Sequence, residues 1–162
     1  HRVYTNGFLF QEKIGDRKLN MDAVNEYGIE TCYYQKIKNG KNITLDNGTE
    51  IENELLTFDP IPTKNYAFCS DTAFDERIIT MIKNVDILYH ESTFLESEEA
   101  LANKTMHATA KQAATIAKEA NVKQLLLGHY STRYDSITKF AEEATTIFPN
   151  VLLADDGKTF EF

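Results

Sequence analysis

Three apolar runs along the chain share one pattern, a strand-like stretch closed by polar side chains. Tyr66-Ala67-Phe68-Cys69-Ser70 runs into Asp71-Thr72, and Asp86-Ile87-Leu88-Tyr89 runs into His90-Glu91-Ser92-Thr93. Leu125-Leu126-Leu127-Gly128 runs into His129-Tyr130-Ser131-Thr132-Arg133-Tyr134. Short apolar runs bounded by polar clusters suit buried strands. Helical patterns fill the gaps. Thr72-Ala73-Phe74-Asp75 has the spacing of a capping box and predicts a helix to about Lys83. Thr109 with Gln112 opens an alanine-rich helix to Ala120, and Glu96 to Asn103 reads as a short acidic helix or loop. Ser136 is expected to cap a helix with Ile137, Phe140, Ala141, Ala144 and Ile147 on one face, stopped by Pro149-Asn150. Val151 to Ala154 and Thr159 to Phe162 are expected to pair across Asp155-Asp156-Gly157. Strands alternating with helices predict an α/β fold with parallel strands, whose carboxyl ends share one edge. Asp71, His90, Glu91 and His129 are expected to converge there.

Before Lys64 the rhythm differs. Val3 to Phe10 reads as one strand, with Gly7 marking a bulge or a close backbone contact. Leu19, Met21, Ala23, Val24 and Tyr27 form a loose helical stripe ended by Gly28. Ile43-Thr44-Leu45 and Thr49-Glu50-Ile51 flank Asp46-Asn47-Gly48, a hairpin signal. Pro60 and Pro62 mark a linker. Residues 13–64 are therefore expected to leave a core built from 1–12 and 65–162.

The chain has 162 residues, of which 42% are hydrophobic, enough for one domain with its own core. A net charge of −8 argues against a broad basic face for nucleic acid, though not against a local basic patch. No apolar run is long enough to cross a bilayer. Cys32 and Cys69 do not make a disulfide framework and suit a reducing cytoplasm. Cys69, mid-strand, reads as a small core residue.

Among the candidate chemical groups, His129 and Asp71 close neighbouring strands, where imidazole and carboxylate are held rigidly enough to ligate a metal. His107 lies just before the Thr109 cap, near the positive end of a helix, where a general acid or base is tuned towards neutral pH. His90 and Glu91 are adjacent, so strand alternation sends them to opposite faces and at most one is expected in the core. Glu91 suits a supporting carboxylate for a histidine. Arg133, with Ser131 and Thr132, suits a phosphate. No Walker motif, GxGxxG or paired CxxC occurs, and Gly128-His129-Tyr130-Ser131 lacks the second glycine of a nucleophile elbow.

The same residues carry a family resemblance. Cys69-Ser70-Asp71-Thr72, Leu88 to Phe94, His107-Ala108-Thr109 with Gln112-Ala113-Ala114, and Leu127 to Tyr134 together resemble the ribonuclease Z family of the metallo-β-lactamase superfamily. His1-Arg2-Val3 with Gly7-Phe8 and Gln11-Glu12-Lys13 is similar to the family's third metal motif and the strand after it. The resemblance implies an α/β fold of the α+β kind, half of an αβ/βα sandwich, with residues 13–64 as a protruding exosite arm. It implies a zinc-dependent endoribonuclease that removes the 3′ trailer of tRNA precursors by two-metal phosphodiester hydrolysis, working as a cytoplasmic homodimer. It implies His1, Asp71 and His129 as metal ligands, with His107 and Glu91 delivering a proton to the leaving oxygen. It places Arg133 near the substrate phosphate and Lys36, Lys38 and Lys41 in the tRNA-binding arm.

The sequence lacks the HxHxDH motif that normally supplies four ligands, so the chain reads as a carboxyl-terminal half whose two metal sites are incomplete alone. Zinc and manganese both suit the His and Asp ligands. The arm lacks the family's Gly-Pro before the tyrosine and reads Glu30-Thr31-Cys32-Tyr33-Tyr34. Between Lys13 and Lys41, six basic residues against four acidic ones leave a surplus of two, a weak electrostatic clamp. Two further readings follow from the same residues. One is a non-catalytic half-protein that binds tRNA or a partner subunit. The other is a hydrolase of the same fold acting on small phosphodiesters.

Overall fold

A computed structural model describes residues 3–161 of the chain. In chain order the elements are β1 (Phe8–Gln11), β2 (Lys18–Leu19), α1 (Met21–Glu26), α2 (Tyr34–Lys38), β3 (Ile43–Thr44), β4 (Glu50–Ile51), α3 (Asn53–Leu56) and β5 (Thr57–Phe58). Then come β6 (Asn65–Cys69), α4 (Arg77–Met81), β7 (Ile87–Glu91), α5 (Glu99–Thr105), α6 (Ala110–Glu119), β8 (Gln124–Gly128), α7 (Thr138–Thr145) and β9 (Val151–Leu153). They fall into two compact units, one of residues up to Gln11 and from Lys64 onward, the other of Glu12–Thr63.

The larger unit is a five-stranded sheet in the order β1-β6-β7-β8-β9. Strands β6 to β9 run parallel, while β1 lies antiparallel on β6. The register pairs Cys69 with His90, and Glu91 with Gly128. The ends of β6, β7 and β8 therefore lie level on one edge. One face of the sheet, with Ala67, Leu88, Leu125 and Leu127, packs against Ala113, Ile116, Ala117 and Phe140 of the helices. Small alanines let α6 approach the sheet closely. Burying a side chain the size of Phe140 contributes about 1.5–3 kcal/mol. The register puts Phe8, Phe68, Tyr89 and Leu126 together on the opposite face. There Phe68 stacks on Tyr89 at 4.7 Å between ring centroids, and Phe8 and Phe10 stay 55% and 56% exposed.

Several local expectations hold. Thr109 and Gln112 form a complete capping box at the start of α6. The strand expected over Val3 to Phe10 forms only from Phe8 to Gln11, while the close contact at Gly7 is present, since a Cβ there would meet the Phe68 carbonyl oxygen at 3.1 Å. Others are corrected. Thr72 does not start a helix. Its hydroxyl donates to the Ala73 carbonyl and its N–H to Glu91, and α4 begins only at Arg77. The chain after Asp155 turns back through Lys158 N–H to the Asp155 carbonyl, but residues 158–161 form no strand beside β9, and Phe162, the last residue of the expected pair, lies outside the described residues.

The smaller unit holds the expected hairpin, with Ile43 opposite Ile51 and Thr44 opposite Glu50. Its core is Val24, Ile29, Ile37, Ile43, Ile51 and Leu56. The stripe over Leu19 to Tyr27 becomes α1, capped by the Asn20 side chain. Among the described residues, no helix is long and apolar enough to cross a membrane.

Candidate metal centre and its proton partners

Asp71 follows β6 by two residues, and His129 follows β8 directly. Both backbones are left-handed, with φ of 49° and 60°. Non-glycine residues in this region cost about 1 kcal/mol or more and gather at functional sites. Here the turn swings each side chain over the strand edge instead of onto a face of the sheet. His107 arrives differently. α5 ends on Met106, also left-handed at φ 62°, and the His107 N–H donates to the Ala102 carbonyl. Phe94 then bridges Thr109 in parallel, which holds the segment 107–109 against the end of β7.

These turns bring Asp71, His107 and His129 together, with one ligand-type atom of each within 4.8 Å of the others. His129 Nε2 lies 3.1 Å from Asp71 Oδ1, and the two imidazoles stack with centroids 5.3 Å apart. Two imidazole nitrogens and a carboxylate oxygen are a donor set that suits a divalent transition metal. His1, the remaining candidate ligand, lies outside the described residues.

Glu91 is fully buried behind this group. Its Oε1 accepts from the Thr72 N–H at 3.0 Å and faces His107 Nδ1 at 2.7 Å. Its Oε2 accepts from the Thr93 N–H at 3.0 Å, the Thr93 hydroxyl at 2.7 Å and the Ala108 N–H at 3.2 Å. Thr93 Oγ1 in turn lies 2.8 Å from His129 Nδ1. His90, expected to share the core with Glu91 only as an alternative, is buried as well. Alternation does send the two to opposite faces, but the segments 92–93 and 107–108 close over Glu91. His90 Nδ1 sits 2.7 Å from the Glu91 carbonyl, and burial holds its imidazole below the usual histidine pKa, so it is neutral.

The remaining candidates make other contacts. Arg133 Nε donates to Ser131 Oγ at 3.2 Å, and its guanidinium lies 3.6 Å from Glu98 and 5.1 Å from the centre of the Phe94 ring. Tyr134 turns into the core, where its hydroxyl accepts from the Leu95 N–H at 3.0 Å. Lys36 and Lys38 sit in the last turn of α2, and Lys41 three residues beyond it, in the smaller unit. A pocket of about 280 Å³ opens beside Asp71, lined by Phe8, Leu9, Cys69, Ile78 and Ile82. Its lining is mostly apolar but includes the hydroxyls of Thr5, Ser70 and Thr72, and burial pushes the Cys69 thiol up to about 11, well away from a reactive thiolate. Thr93 is the member of the site that residue-type reasoning passes over, although its place two residues after Glu91 is visible in the sequence.

Residues 38–130 match the beta-lactamase superfamily domain. The chain belongs to that superfamily. It is 46% identical over 154 residues to the Ribonuclease Z of Phocaeicola vulgatus, covering 95% of this chain and 50% of that protein. It is 43% identical to the Ribonuclease Z of Porphyromonas gingivalis W83, covering 96% and 51%, and 40% identical to that of Cytophaga hutchinsonii, covering 99% and 51%. The chain thus spans about half the length of the curated relatives it matches. Among solved structures it resembles the metallo-beta-lactamase fold protein YhfI from Bacillus subtilis at a TM-score of 0.57 and 26% identity, covering 60% of this chain and 40% of that one. A long-form RNase Z from yeast matches at a TM-score of 0.51 and 24% identity, covering 58% and 13%, which supports the fold alone.

Proposed function

We propose that the chain is the carboxyl-terminal half of a tRNA 3′-processing endonuclease, which cuts the trailer from tRNA precursors by metal-dependent phosphodiester hydrolysis. The observation that carries this reading is the shared buried carboxylate. Glu91 stands 2.7 Å from His107 and, through Thr93, behind His129 and Asp71. A ligand pair and a carboxylate-backed imidazole at one strand edge suit metal-assisted hydrolysis of a phosphodiester. Similarity to Ribonuclease Z proteins along nearly the whole chain supports the substrate.

In this reading Asp71 and His129, with His1, contribute to zinc sites whose other ligands come from the remaining half of the protein. Bound there, the metal supplies Lewis-acid stabilisation of phosphoryl charge and a nucleophile at neutral pH. Glu91 orients His107 through Nδ1, and the ring's other nitrogen carries the proton for the leaving 3′-oxygen. Arg133 exchanges its Glu98 partner for a substrate phosphate. Lys36, Lys38 and Lys41 hold the tRNA backbone, the remaining half covers the aromatic face of the sheet, and the whole enzyme acts as a cytoplasmic homodimer.

The test uses the full-length product of the gene. Elemental analysis is expected to find about two zinc or manganese ions per subunit, and the protein is expected to cut a precursor tRNA after the discriminator base. Deleting residues 13–64 is expected to abolish tRNA cleavage and leave hydrolysis of a small phosphodiester intact. A full-length protein with neither metal nor cleavage overturns the reading.

A further inference from the structure

We propose that Thr93 is a positioning residue that fixes the tautomer of His129 and thereby makes Nε2 its metal-binding atom, an inference that rests on the metal-centre reading above. The argument is a count of protons. The Thr93 hydroxyl has one proton and lies between two partners, Glu91 Oε2 at 2.7 Å and His129 Nδ1 at 2.8 Å. Glu91 already receives three backbone N–H groups, from Thr72, Thr93 and Ala108, and these cannot reverse direction. A carboxylate so surrounded acts as acceptor only, so the Thr93 proton goes to Glu91. Towards His129 the hydroxyl then offers a lone pair, and Nδ1 must supply the proton.

A neutral imidazole carries one N–H. With that proton on Nδ1, Nε2 keeps its lone pair, and Nε2 is the atom 3.1 Å from Asp71 Oδ1. Two such lone pairs at this distance are satisfied either by a second proton on Nε2 or by a divalent cation beside them, and the second is the role the metal-centre reading gives them. Thr93 itself is held firmly. It is 8% exposed, its N–H is on Glu91, and its carbonyl accepts from the Ser131 N–H at 3.1 Å. One buried carboxylate thus orients both histidines, His107 directly and His129 through the threonine.

The experiment compares Thr93→Val and Thr93→Ser with the parent in the full-length gene product. Zinc affinity is measured by competition with a chromophoric chelator, and the His129 tautomer by 15N chemical shifts of the metal-free protein. Val keeps the shape and removes the hydroxyl, and it is expected to weaken zinc binding about 10–100-fold. Ser restores the hydroxyl and is expected to bind within about threefold of the parent. The parent is expected to show His129 protonated at Nδ1. A parent that binds zinc while Val binds equally well, or a parent protonated at Nε2, overturns the role of Thr93. A parent that binds no zinc overturns the metal-centre reading and the ligand assignment with it. The tautomer measurement needs no variant, so it holds even where Val folds poorly.

Discussion

Nδ1 of His107 lies 2.7 Å from Oε1 of Glu91, a carboxylate with no exposed surface. Five donors converge on Glu91, so its charge is matched by hydrogen bonds instead of water. Glu91→Gln keeps the shape but replaces one acceptor oxygen with an NH2 group that faces fixed donors. If the proposed function holds, precursor-tRNA cleavage by the full-length gene product is expected to fall about 10²–10⁴-fold, the range of a lost general acid. We also expect stability to fall by about 1–3 kcal/mol from the unmade hydrogen bonds. Single-turnover cleavage and urea unfolding check the two effects separately.

Gly128 is needed for space. A Cβ there would lie 2.7 Å from Cε2 and 2.8 Å from Cζ of Tyr89, whose ring is pinned on its other side by Phe68. Gly128→Ala is therefore expected to destabilise by about 1–3 kcal/mol through overpacking. Combining it with Tyr89→Val is expected to recover at least half of that loss, the coupling typical of residues in contact. A double-mutant cycle from urea unfolding midpoints measures it, and simple additivity would rule out the clash as the cause.

Local rules read the parts of the fold that local chemistry decides. The capping box of Thr109 and Gln112, the Asp46-Asn47-Gly48 hairpin and the parallel strands ending near Asp71, Glu91 and His129 all follow from spacing within a few residues. The failures share one cause, a partner distant in sequence. Thr72 has the spacing of a cap, but Glu91, 19 residues away, takes its N–H. His90 and Glu91 obey strand alternation, yet both are buried because segments beyond the strand cover the second face. The link from Thr93 to His129 spans 36 residues and has no local signature at all.

His90 makes stability depend on pH. Its pKa is lowered in the folded protein by burial, against an ordinary value of 6.5. Above that value both folded and unfolded chains carry neutral imidazole, and this residue adds no slope. Below it the unfolded chain takes up a proton that the folded chain refuses, so stability falls as pH falls until acid reaches the lower folded value. His90→Asn keeps a donor for the Glu91 carbonyl and removes the titration. The variant is expected to lose less stability than the parent between pH 7 and pH 5. Thermal unfolding at matched ionic strength compares the two, and equal losses would show that His90 is not responsible.

Asn53 holds the smaller unit together. It is 2% exposed, and its Nδ2 donates to the Ile37 carbonyl at 2.7 Å and the Lys41 carbonyl at 3.0 Å. Its Oδ1 accepts from the Thr57 hydroxyl at 3.0 Å, and its N–H reaches Asn42 Oδ1 at 3.0 Å. One side chain thus ties α2, the start of the hairpin and the end of α3. Asn53→Ala removes the donor to the Lys41 carbonyl and leaves the Ile37 carbonyl with the Gly40 N–H, and it is expected to cost about 1–3 kcal/mol. The apolar cluster of this unit is separate from that of the sheet, so the loss stays local. Hydrogen exchange is expected to rise across residues 12–63 and to stay unchanged in β6, β7 and β8. If the proposed function holds, the same variant of the full-length gene product is expected to bind tRNA more weakly, because Lys36, Lys38 and Lys41 flank the groups that Asn53 ties, while its metal content is kept. Parent-like exchange in residues 12–63 would show that the unit does not depend on this side chain.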